Sequence, residues 1–435
     1  MSSVVKHRKF SFVEFVGANN NKFWNITEYD DGEILVEFGR IGKTAQSKLH
    51  PPYAKKFNTL IKSKIRKGYT ENKVIASVGK DRGSHVSINK SDLHSIAKKQ
   101  IKSNSTVVEK LIEKLVRVNI HNILSASSGN ITYDSSTAQF KTPQGVIVPE
   151  QVQEARDLLD DLAEMVNLKD WTDPDFSRKL NSYLRLIPHS VGMRRINPRD
   201  ILPNIAKVRQ ENDLLDGLDA SFIDIKNSAV KQPKGKKKIE KTIFDVELIH
   251  VKDYKTIKWI KDKFHKTKNT RHHMNCSGLD VKNVYTVSIK NMSTSFDKYG
   301  KKLANIKKLW HGTKVSNVLS ILKQGLIIPP SSSSHCTGRM YGNGLYFSSI
   351  STKALNYATG FWGRGGSTSA YFMFLADVAM GKPYIAGGGG GWGDYPQRGY
   401  NSTWAKGGQS GVINDEMIVY RLDQANLSYL VEFSK

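Results

Sequence analysis

Apolar and polar positions divide the chain into a strand-rich N-terminal part, a helical middle and a strand-rich C-terminal part. In the first part, Lys22–Tyr29 and Glu33–Ile41 are rich in β-forming residues and flank Asp31-Gly32, a pair that favours a tight hairpin turn. After them, apolar residues recur at helical spacing with lysines on the opposite face, namely Phe57, Leu60, Ile61 and Ile65. The pattern predicts a small domain of strands followed by a helix over residues 1–76.

The middle of the chain carries the periodicity of amphipathic helices. One apolar stripe follows Thr106, Pro149 can occupy the first turn of a second helix, a third ends at Pro188, and a fourth covers about 203–219. The positions predicted to be buried are Val108, Leu111, Ile112 and Leu115 in the first helix, Val152, Ala155, Leu159 and Leu162 in the second, and Phe176, Leu180, Tyr183, Leu184 and Ile187 in the third. Residues 101–225 are therefore predicted to form an all-α domain.

Beyond Thr242, short β-rich runs alternate with glycine-containing segments, which is typical of a mixed α+β domain. The fold class predicted for the whole chain is α+β and multidomain, with a small β-rich domain that includes a helix, an all-α domain and a mixed α+β domain. The predicted boundaries are 1–76, 101–225 and 242–435, with linkers at 77–100 and 226–241.

The chain has a formal net charge of +26 in 435 residues. An excess this large indicates a polyanionic partner, and nucleic acid fits better than a membrane because no basic amphipathic anchor or lipidation motif occurs. A lysine-rich bias of the genome would produce the same excess. The run Lys231–Lys241 fits either a solvated linker or a patch for nuclear import or nucleic acid.

Other patterns argue against several classes of protein. Cys276 and Cys336 are the only cysteines and neither belongs to a CxxC pair, so we expect no disulfide framework, no zinc finger and no metal site. The N-terminus lacks the apolar core of a signal peptide and no run of about 18 apolar residues occurs, so no membrane partner is expected. The run Gly387–Gly391 lacks the spacing of a dinucleotide fingerprint and is predicted to be a surface loop.

Three separated segments of the last domain carry candidate chemistry. They are Leu309-Trp-His-Gly-Thr313, Thr337-Gly-Arg-Met-Tyr-Gly-Asn-Gly-Leu-Tyr-Phe347 with Asn356-Tyr357 after it, and Asn414-Asp-Glu-Met-Ile-Val-Tyr420. Each has an ordinary structural explanation when taken alone, such as a core histidine, a turn entering a strand, or the solvent-facing start of a strand. From composition and spacing alone, the segments indicate only that a pocket is possible.

Together, the three segments resemble the catalytic domain of poly(ADP-ribose) polymerases, which takes a histidine, a tyrosine and a glutamate from three strands. Here these positions are His311, Tyr346 and Glu416. Asn317 follows the histidine by six residues and Tyr357 follows Tyr346 by eleven, as in the family.

The resemblance extends upstream of the catalytic domain. Leu186-Ile-Pro-His189, Gly192, Lys207-Val and Asp213–Asp216 are similar to the helical regulatory domain of DNA-dependent members, and Val36–Gly42 with Trp24 and Lys67-Gly-Tyr69 is similar to the WGR domain.

The resemblance implies that NAD⁺ is the substrate and that no cofactor is permanently bound. It implies that His311 binds the adenosine ribose, that the backbone of Gly312 binds the nicotinamide amide, and that Glu416 stabilises the cationic ribose and activates the acceptor hydroxyl. The remaining implied contacts are a nicotinamide sandwich by Tyr346 and Tyr357, adenosine-side contacts by Thr313, Asn317 and Asp216, and an acceptor site lined by Met340.

Some positions depart from the family pattern. Ala354 stands where the family often has a serine that binds the carboxamide, and Ile327 stands where an arginine is common. In the WGR-like segment the tryptophan position is Phe38, which keeps a stacking face without the indole N–H. The resemblance implies that DNA is contacted by Phe38, Arg40 and Trp24.

Three functional hypotheses follow. The first is a poly(ADP-ribose) polymerase activated by DNA breaks, with NAD⁺, DNA ends and acceptor proteins including itself as partners. The second is an enzyme that transfers a single ADP-ribose, against which the presence of Glu416 counts. The third is an inactive DNA-binding scaffold, for which Ala354 and Ile327 argue. The expected location is the nucleus in a eukaryotic host, and otherwise the cytoplasm or the interior of a host cell.

Overall fold

A computed structural model of the chain describes residues 3–14, 20–41, 43–71, 93–127, 130–134, 139–142, 145–189, 197–221, 244–269, 278–328, 340–359, 371–387 and 395–434. Several predictions fall outside these residues: the conformation of Lys231–Lys241 and of most of 77–100, most of the glycine run after Gly387, and the start of the second catalytic segment at Thr337.

The N-terminal part forms a five-stranded sheet with one helix packed on it. Its elements are β1 (Val4–Glu14), β2 (Asn20–Tyr29), β3 (Ile34–Arg40), β4 (Gln46–His50), α1 (Phe57–Arg66) and β5 (Thr70–Glu71). The predicted hairpin turn between β2 and β3 is present, with Gly32 at φ +84°, a backbone conformation that favours glycine. The predicted face of α1 is only partly right, because Phe57 is buried whereas Ile65 is 51% exposed.

Helices dominate the next part of the chain. The elements are α2 (Leu93–Gln100), β6 (Lys102–Ser103), α3 (Thr106–Ala126), β7 (Thr132–Asp134), β8 (Gln139–Thr142), β9 (Gly145–Val146), α4 (Pro149–Leu168), α5 (Pro174–Leu186), α6 (Pro198–Ile201) and α7 (Ile205–Ser221). Proline occupies the first turn of α4 and α5, where its missing N–H is not needed. The buried positions predicted for α4 and α5 are all buried, which confirms the helical periodicity.

The C-terminal part is built on two sheets with helices around them. Its elements are β10 (Val246–His250), α8 (Tyr254–Lys266), β11 (Asp280–Ile289), α9 (Lys290–Lys298), β12 (Ile306–Gly312), α10 (Val315–Gln324), β13 (Leu345–Phe347), α11 (Ser351–Ala358), β14 (Tyr371–Ala379), β15 (Pro383–Ile385), β16 (Ser402–Ala405), β17 (Glu416–Val419) and β18 (Ala425–Ser434). The larger sheet has the strand order β12-β14-β18-β11-β10-β6, and the smaller one has β13-β17-β16-β15.

Strand β14 lies inside the larger sheet and is buried on both faces. Phe372 and Phe374 join one core cluster, while Met373 and Leu375 join a second cluster on the opposite face. Its neighbour β12 therefore has a rigid support, and β12 ends at the first candidate catalytic segment.

The structure divides into two compact units, one of Met1–Asp92 with Asn122–Phe222 and the other of Leu93–His121 with Ile223–Lys435. The second unit takes in most of α3, whose apolar stripe packs in the same core as β10 and β14. The division therefore does not coincide with the boundary predicted at residue 101, because an apolar stripe shows that a helix face is covered but not which element covers it.

The α+β multidomain fold class is confirmed, with a strand-rich N-terminal domain, a helical part and a mixed α+β C-terminal domain. Within the described ranges, no helix combines the length and the apolar character needed to cross a membrane.

Candidate active site

The three candidate segments meet at Ser348, a buried serine that directly follows β13. The Ser348 N–H donates to the carbonyl of Trp310 on β12 at 3.0 Å, and the Trp310 N–H donates to the Ser348 carbonyl at 2.9 Å. The Ser348 hydroxyl donates to the carbonyl of Asp415, one residue before β17, at 2.6 Å. A single residue thus joins the strand ends that carry His311, Tyr346 and Glu416.

His311 lies at the end of β12 with its ring fixed by one backbone bond. Its Nδ1 lies 3.1 Å from the carbonyl oxygen of Tyr346, so Nδ1 carries the proton and donates. Burial lowers the pKa of His311, although the bond to Tyr346 acts in the opposite direction. A neutral ring protonated on Nδ1 leaves the Nε2 lone pair free to accept a hydrogen bond from a ligand hydroxyl.

Tyr346 on β13 has its hydroxyl fixed by the turn that precedes the strand. The hydroxyl donates to the carbonyl of Gly342 at 2.7 Å and accepts from the N–H of Tyr341 at 3.0 Å. Gly342 has φ +85°, and a Cβ there would lie 2.5 Å from the Cβ of Tyr395. Because these bonds use the hydroxyl, the ring rather than the phenol O–H is the part of Tyr346 suited to a ligand.

Glu416 begins β17, the strand paired with β13 in the register Tyr346↔Ile418. It is 8% exposed, and its Oε1 lies 2.5 Å from the Nζ of Lys353 on α11. The same ammonium lies 5.7 Å from the ring centroid of Tyr357, one turn further along α11. Lys353 therefore connects the candidate catalytic carboxylate to the second of the two predicted stacking rings.

Lys353 was missed by the reasoning from sequence. Burial opposes its charge, yet the interactions with Tyr357 and Glu416 raise the pKa of Lys353 above its usual value, so it remains a cation. The available signal was the spacing between Lys353 and Tyr357, since residues four apart share one face of a helix. The pairing with Glu416 joins two distant segments and could not be seen in the sequence.

Helix α11 is held beside the site by bonds to the last turn of α8 and to the segment after it. The Ser351 hydroxyl donates to the carbonyl of Phe264 at 2.7 Å, and the Asn269 N–H donates to Thr352 Oγ1 at 2.9 Å. The amide of Asn269 also donates to Asn414 Oδ1 at 2.5 Å. This segment therefore connects α11 to the third catalytic segment.

Gly312 is required by close packing. A Cβ on Gly312 would lie 1.6 Å from the carbonyl oxygen of Ala354, so the end of β12 rests directly on the backbone of α11. Ala354 itself is 3% exposed, and its methyl side chain can offer no hydrogen bond at the position where the family often has serine. The predicted carboxamide site therefore lacks this one hydroxyl.

The remaining predicted contacts of the catalytic domain lie at the start of α10 and after the second segment. Thr313 is buried between β12 and α10, and Asn317 lies in the first turn of α10, where its Oδ1 accepts from the Ser316 hydroxyl at 3.1 Å. Met340 is 46% exposed and Ile327 is 52% exposed. Their surface positions leave both side chains accessible to a ligand.

Asp216 lies on α7, in the unit that does not contain the other residues predicted to bind NAD⁺. Its carboxylate lies 2.9 Å from the guanidinium of Arg156 on α4. Its predicted contact with adenine stays a prediction.

The predicted DNA-contacting residues have different environments. Trp24 is 3% exposed and packs on Phe10 with ring centroids 5.4 Å apart, so its ring belongs to the domain core, and its contact with DNA stays a prediction. Phe38 and Arg40 both lie on β3 and are half-buried. Across the sheet, Phe38 pairs with Trp24 on β2 and Arg40 pairs with Lys22. Burial, followed by the nearby charges of Lys67 and Lys22, lowers the pKa of Lys64.

No group of histidine, cysteine and acidic side chains able to hold a metal ion occurs in the part of the chain that the structure describes. The geometry of the site instead offers an acceptor nitrogen on His311, aromatic rings at Tyr346 and Tyr357, and a carboxylate on Glu416. This combination suits an organic ligand that has hydroxyl groups, a flat ring and developing positive charge.

Three family profiles match the chain in succession. The WGR domain matches residues 8–74, the poly(ADP-ribose) polymerase regulatory domain matches 106–246, and the poly(ADP-ribose) polymerase catalytic domain matches 252–410. The last match ends before Glu416, whose assignment rests on its own segment and on the geometry described above.

Similar proteins support the same family. A poly(ADP-ribose) polymerase-like protein, 100L, of Invertebrate iridescent virus 6 is 36% identical over 165 residues, which are 35% of this chain and 85% of the viral protein. Poly [ADP-ribose] polymerase 1 of Caenorhabditis elegans is 24% identical over 84% of this chain, which spans 39% of the worm enzyme. Protein mono-ADP-ribosyltransferase PARP3 of Mus musculus is 25% identical over 85% of this chain and 71% of its own length. The chain therefore belongs to the poly(ADP-ribose) polymerase family and carries the catalytic domain of an NAD⁺ ADP-ribosyltransferase.

Proposed function

We propose that this protein is a poly(ADP-ribose) polymerase that is activated by broken DNA and elongates ADP-ribose chains on acceptor proteins, including itself. The observation that carries the proposal is the placement of Glu416, buried against Lys353 and beside the strand of Tyr346. Elongation requires a base near the acceptor hydroxyl, and a carboxylate in this position can supply it.

On the donor side, the proposed roles follow from the groups that each residue leaves available. The free Nε2 of His311 accepts from an adenosine ribose hydroxyl, and the backbone at Gly312 bonds the nicotinamide amide. The rings of Tyr346 and Tyr357 enclose the nicotinamide, whose flat cationic ring is attracted to aromatic faces. Thr313, Asn317 and Asp216 contact the adenosine side.

In the transition state, the bond between nicotinamide and ribose breaks and positive charge spreads over the ribose. The carboxylate of Glu416 accepts a hydrogen bond from the ribose 2′-OH and stabilises that charge as it develops. Because the ion pair with Lys353 already fixes the carboxylate, little reorganisation is needed when the charge appears.

On the acceptor side, Glu416 takes the proton of the attacking hydroxyl, and Met340 lines the place where the acceptor ADP-ribose lies. The 46% exposure of Met340 supports this role because an acceptor chain must approach from solvent.

For DNA, we propose a surface formed by Phe38, Arg40 and the lysines around Lys64. Phosphates can be met by Arg40, Lys22 and Lys67, and Phe38 offers a stacking face. Trp24 contributes from within the core by supporting Phe38, its partner across the sheet. DNA binding then shifts the helical part towards a state that admits NAD⁺. In a eukaryotic host the site of action is the nucleus; in other hosts it is the cytoplasm or the host cell interior.

A second candidate function is transfer of a single ADP-ribose. It is favoured by the likeness to the mouse mono-ADP-ribosyltransferase along 85% of this chain. Both candidates share the donor chemistry and differ only in elongation.

The test is incorporation of radiolabelled NAD⁺ with and without nicked DNA, followed by separation of products by length. The proposal expects long chains that increase with nicked DNA. Only single-unit products would support the second candidate, and no nicotinamide release with DNA binding intact would indicate an inactive scaffold.

A further inference from the structure

The exposed side of α8 carries charge and aromatic rings that the proposed reaction does not use. Between residues 252 and 268 the sequence has seven lysines and two aspartates. The helix is amphipathic, with Ile260 and Phe264 buried against the sheet. Its opposite side is therefore the one that a partner can reach.

The centre of this side is Trp259, whose side chain is 42% exposed. Lys255 lies four residues before it and Lys263 four residues after it, so all three share one face of the helix. Lys266 adds a further charge one turn beyond. We call Lys255, Trp259, Lys263 and Lys266 the α8 outer face.

The α8 outer face continues onto the neighbouring sheet. The ring of Trp259 lies 6.1 Å from that of Tyr429 on β18, and the ammonium of Lys308 on β12 lies 5.6 Å from the Tyr429 ring centroid. Burial and the positive charge of Lys308 lower the pKa of Lys263. The rings of Trp259 and Tyr429 and the ammonium of Lys308 therefore form one compact cluster.

Most other lysines of the region are neutralised locally. Lys258 pairs with Asp262 at 2.6 Å, Lys261 lies 3.9 Å from Asp280, and Lys308 pairs with Asp377. In contrast, Lys255, Lys263 and Lys266 form no ion pair with any residue that the structure describes. The lysines without an ion pair thus lie around the exposed indole.

We propose that the α8 outer face binds single-stranded nucleic acid, with a base stacked on Trp259 and phosphates bound by Lys255, Lys263 and Lys266. Single strands expose the faces of their bases, whereas a duplex hides them inside its stack, so an exposed indole between lysines matches the single strand. The acidic side chains of a peptide could pair with the lysines, but they carry no flat ring that would stack on the indole. This binding is separate from the proposed DNA contacts of Phe38 and Arg40.

Photo-crosslinking of the full chain locates the contact. A single strand of about 12 nucleotides with a photoreactive base fits the roughly 4–16 nucleotides of such sites. We expect crosslinked peptides from the α8 outer face. Crosslinks confined to the N-terminal domain would overturn the proposal.

Affinity measurements by fluorescence anisotropy on the full chain test the roles of the lysines. The double variant Lys255→Ser/Lys266→Ser should bind the strand more weakly. The fall of log K with log salt should also become less steep by about 1.4, since each phosphate contact of a single strand contributes about 0.7 to the slope. The matched control is Lys298→Ser/Lys302→Ser, which removes two lysines beside the exposed Tyr299 in the same unit. An equal loss in both double variants would show that only net charge matters and would contradict the proposal.

The variant Trp259→Leu tests stacking while keeping apolar contact with Tyr429. We expect affinity for the single strand to fall about 5-fold or more, with duplex affinity unchanged. Unchanged single-strand affinity would rule out stacking, and tighter binding of purified ADP-ribose polymer than of the strand would assign the face to the product instead. Nicotinamide release without nucleic acid should be the same in the wild type, the two double variants and Trp259→Leu, since none of the substituted residues lies in the catalytic site.

Discussion

At the scale of single residues, the site depends on the ion pair between Lys353 and Glu416. The side chains are 14% and 10% exposed, so each charge would be costly without the other. A carboxylate paired in this way is held in one orientation, which suits the stabilisation of a ribosyl cation. Lys353 is therefore a positioning residue for Glu416.

Replacing Lys353 by glutamine removes the cation that faces Glu416. The rate of nicotinamide release should then fall about 10-fold or more with little change in KM for NAD⁺, because Glu416 loses the partner that orients its carboxylate. Steady-state kinetics provide the measurement, and Lys353→Arg serves as the control because it keeps the charge. Equal kcat values in the wild type and Lys353→Gln would show that the pair does not position the carboxylate.

Ala354→Ser restores a hydroxyl beside Gly312. If nicotinamide binds there, one added hydrogen bond of about 0.5–1.5 kcal/mol should lower KM for NAD⁺ about 2- to 10-fold with little change in kcat. Steady-state kinetics provide the measurement. A KM that stays the same or rises would place the carboxamide elsewhere.

The residues of the site were predictable to different degrees. His311, Tyr346 and Glu416 could be identified because their neighbours form recognisable segments. Ser348 and Lys353 could not, since their importance comes from contacts between segments far apart in the chain. The burial of Trp24 could not be read from the sequence either, because an alternating strand does not show which of its faces is covered.

At the scale of elements, a buried polar cluster connects α5, the residues after it and α7. Glu211 accepts from the Tyr183 hydroxyl at 2.9 Å and pairs with His189 at 2.8 Å and Lys207 at 2.7 Å. Although burial acts in the opposite direction, His189 and Lys207 hold the pKa of Glu211 at about 2. Burial likewise opposes the imidazolium of His189, but Glu211 raises the pKa of His189 above its usual value.

These shifts predict how the stability of the helical part depends on pH. The contribution of His189 is complete below its unfolded pKa of about 6.5 and is lost as pH rises through its higher folded value. The contribution of Glu211 is complete above its unfolded pKa and is lost as pH falls towards about 2. Thermal unfolding followed by circular dichroism should therefore show a midpoint that decreases from about pH 6 to about pH 9.

The control for this prediction is His189→Gln, which cannot gain a proton. Its midpoint should be lower at about pH 6 and should vary less than that of the wild type up to about pH 9. The same pH dependence in both proteins would show that another group is responsible.

The helices and strands were largely predictable where the buried face of an element packs against elements that are close to it in the sequence. The helices α4 and α5 start at prolines and bury the expected stripes, so local signals were sufficient. For α3 the stripe was found but its packing partner was not, because its core is shared with strands more than a hundred residues away. The Glu211 cluster was not predicted, since a buried carboxylate is recognisable only from its partners.

At the scale of the whole molecule, positive charge is assigned to two separate nucleic-acid surfaces, one around Arg40 and one on α8. Arg40→Ser should lower the slope of log K against log salt for nicked duplex DNA by about 0.9 and reduce DNA-stimulated activity, without changing the rate in the absence of DNA. Lys48→Ser, at an exposed position on β4 of the same domain, is the control. Equal effects of the two substitutions would indicate binding through net charge alone.

The central claim is that Glu416 acts on a substrate held by His311, Tyr346 and Tyr357. Its most direct test is the initial rate of nicotinamide release by Glu416→Gln, compared with Glu432→Gln, which alters another buried glutamate of the same unit whose partner is Lys114. We predict a loss of about 100-fold or more for Glu416→Gln, with retained NAD⁺ binding, and a rate near that of the wild type for Glu432→Gln. A Glu416→Gln protein that releases nicotinamide as fast as the wild type would contradict the account.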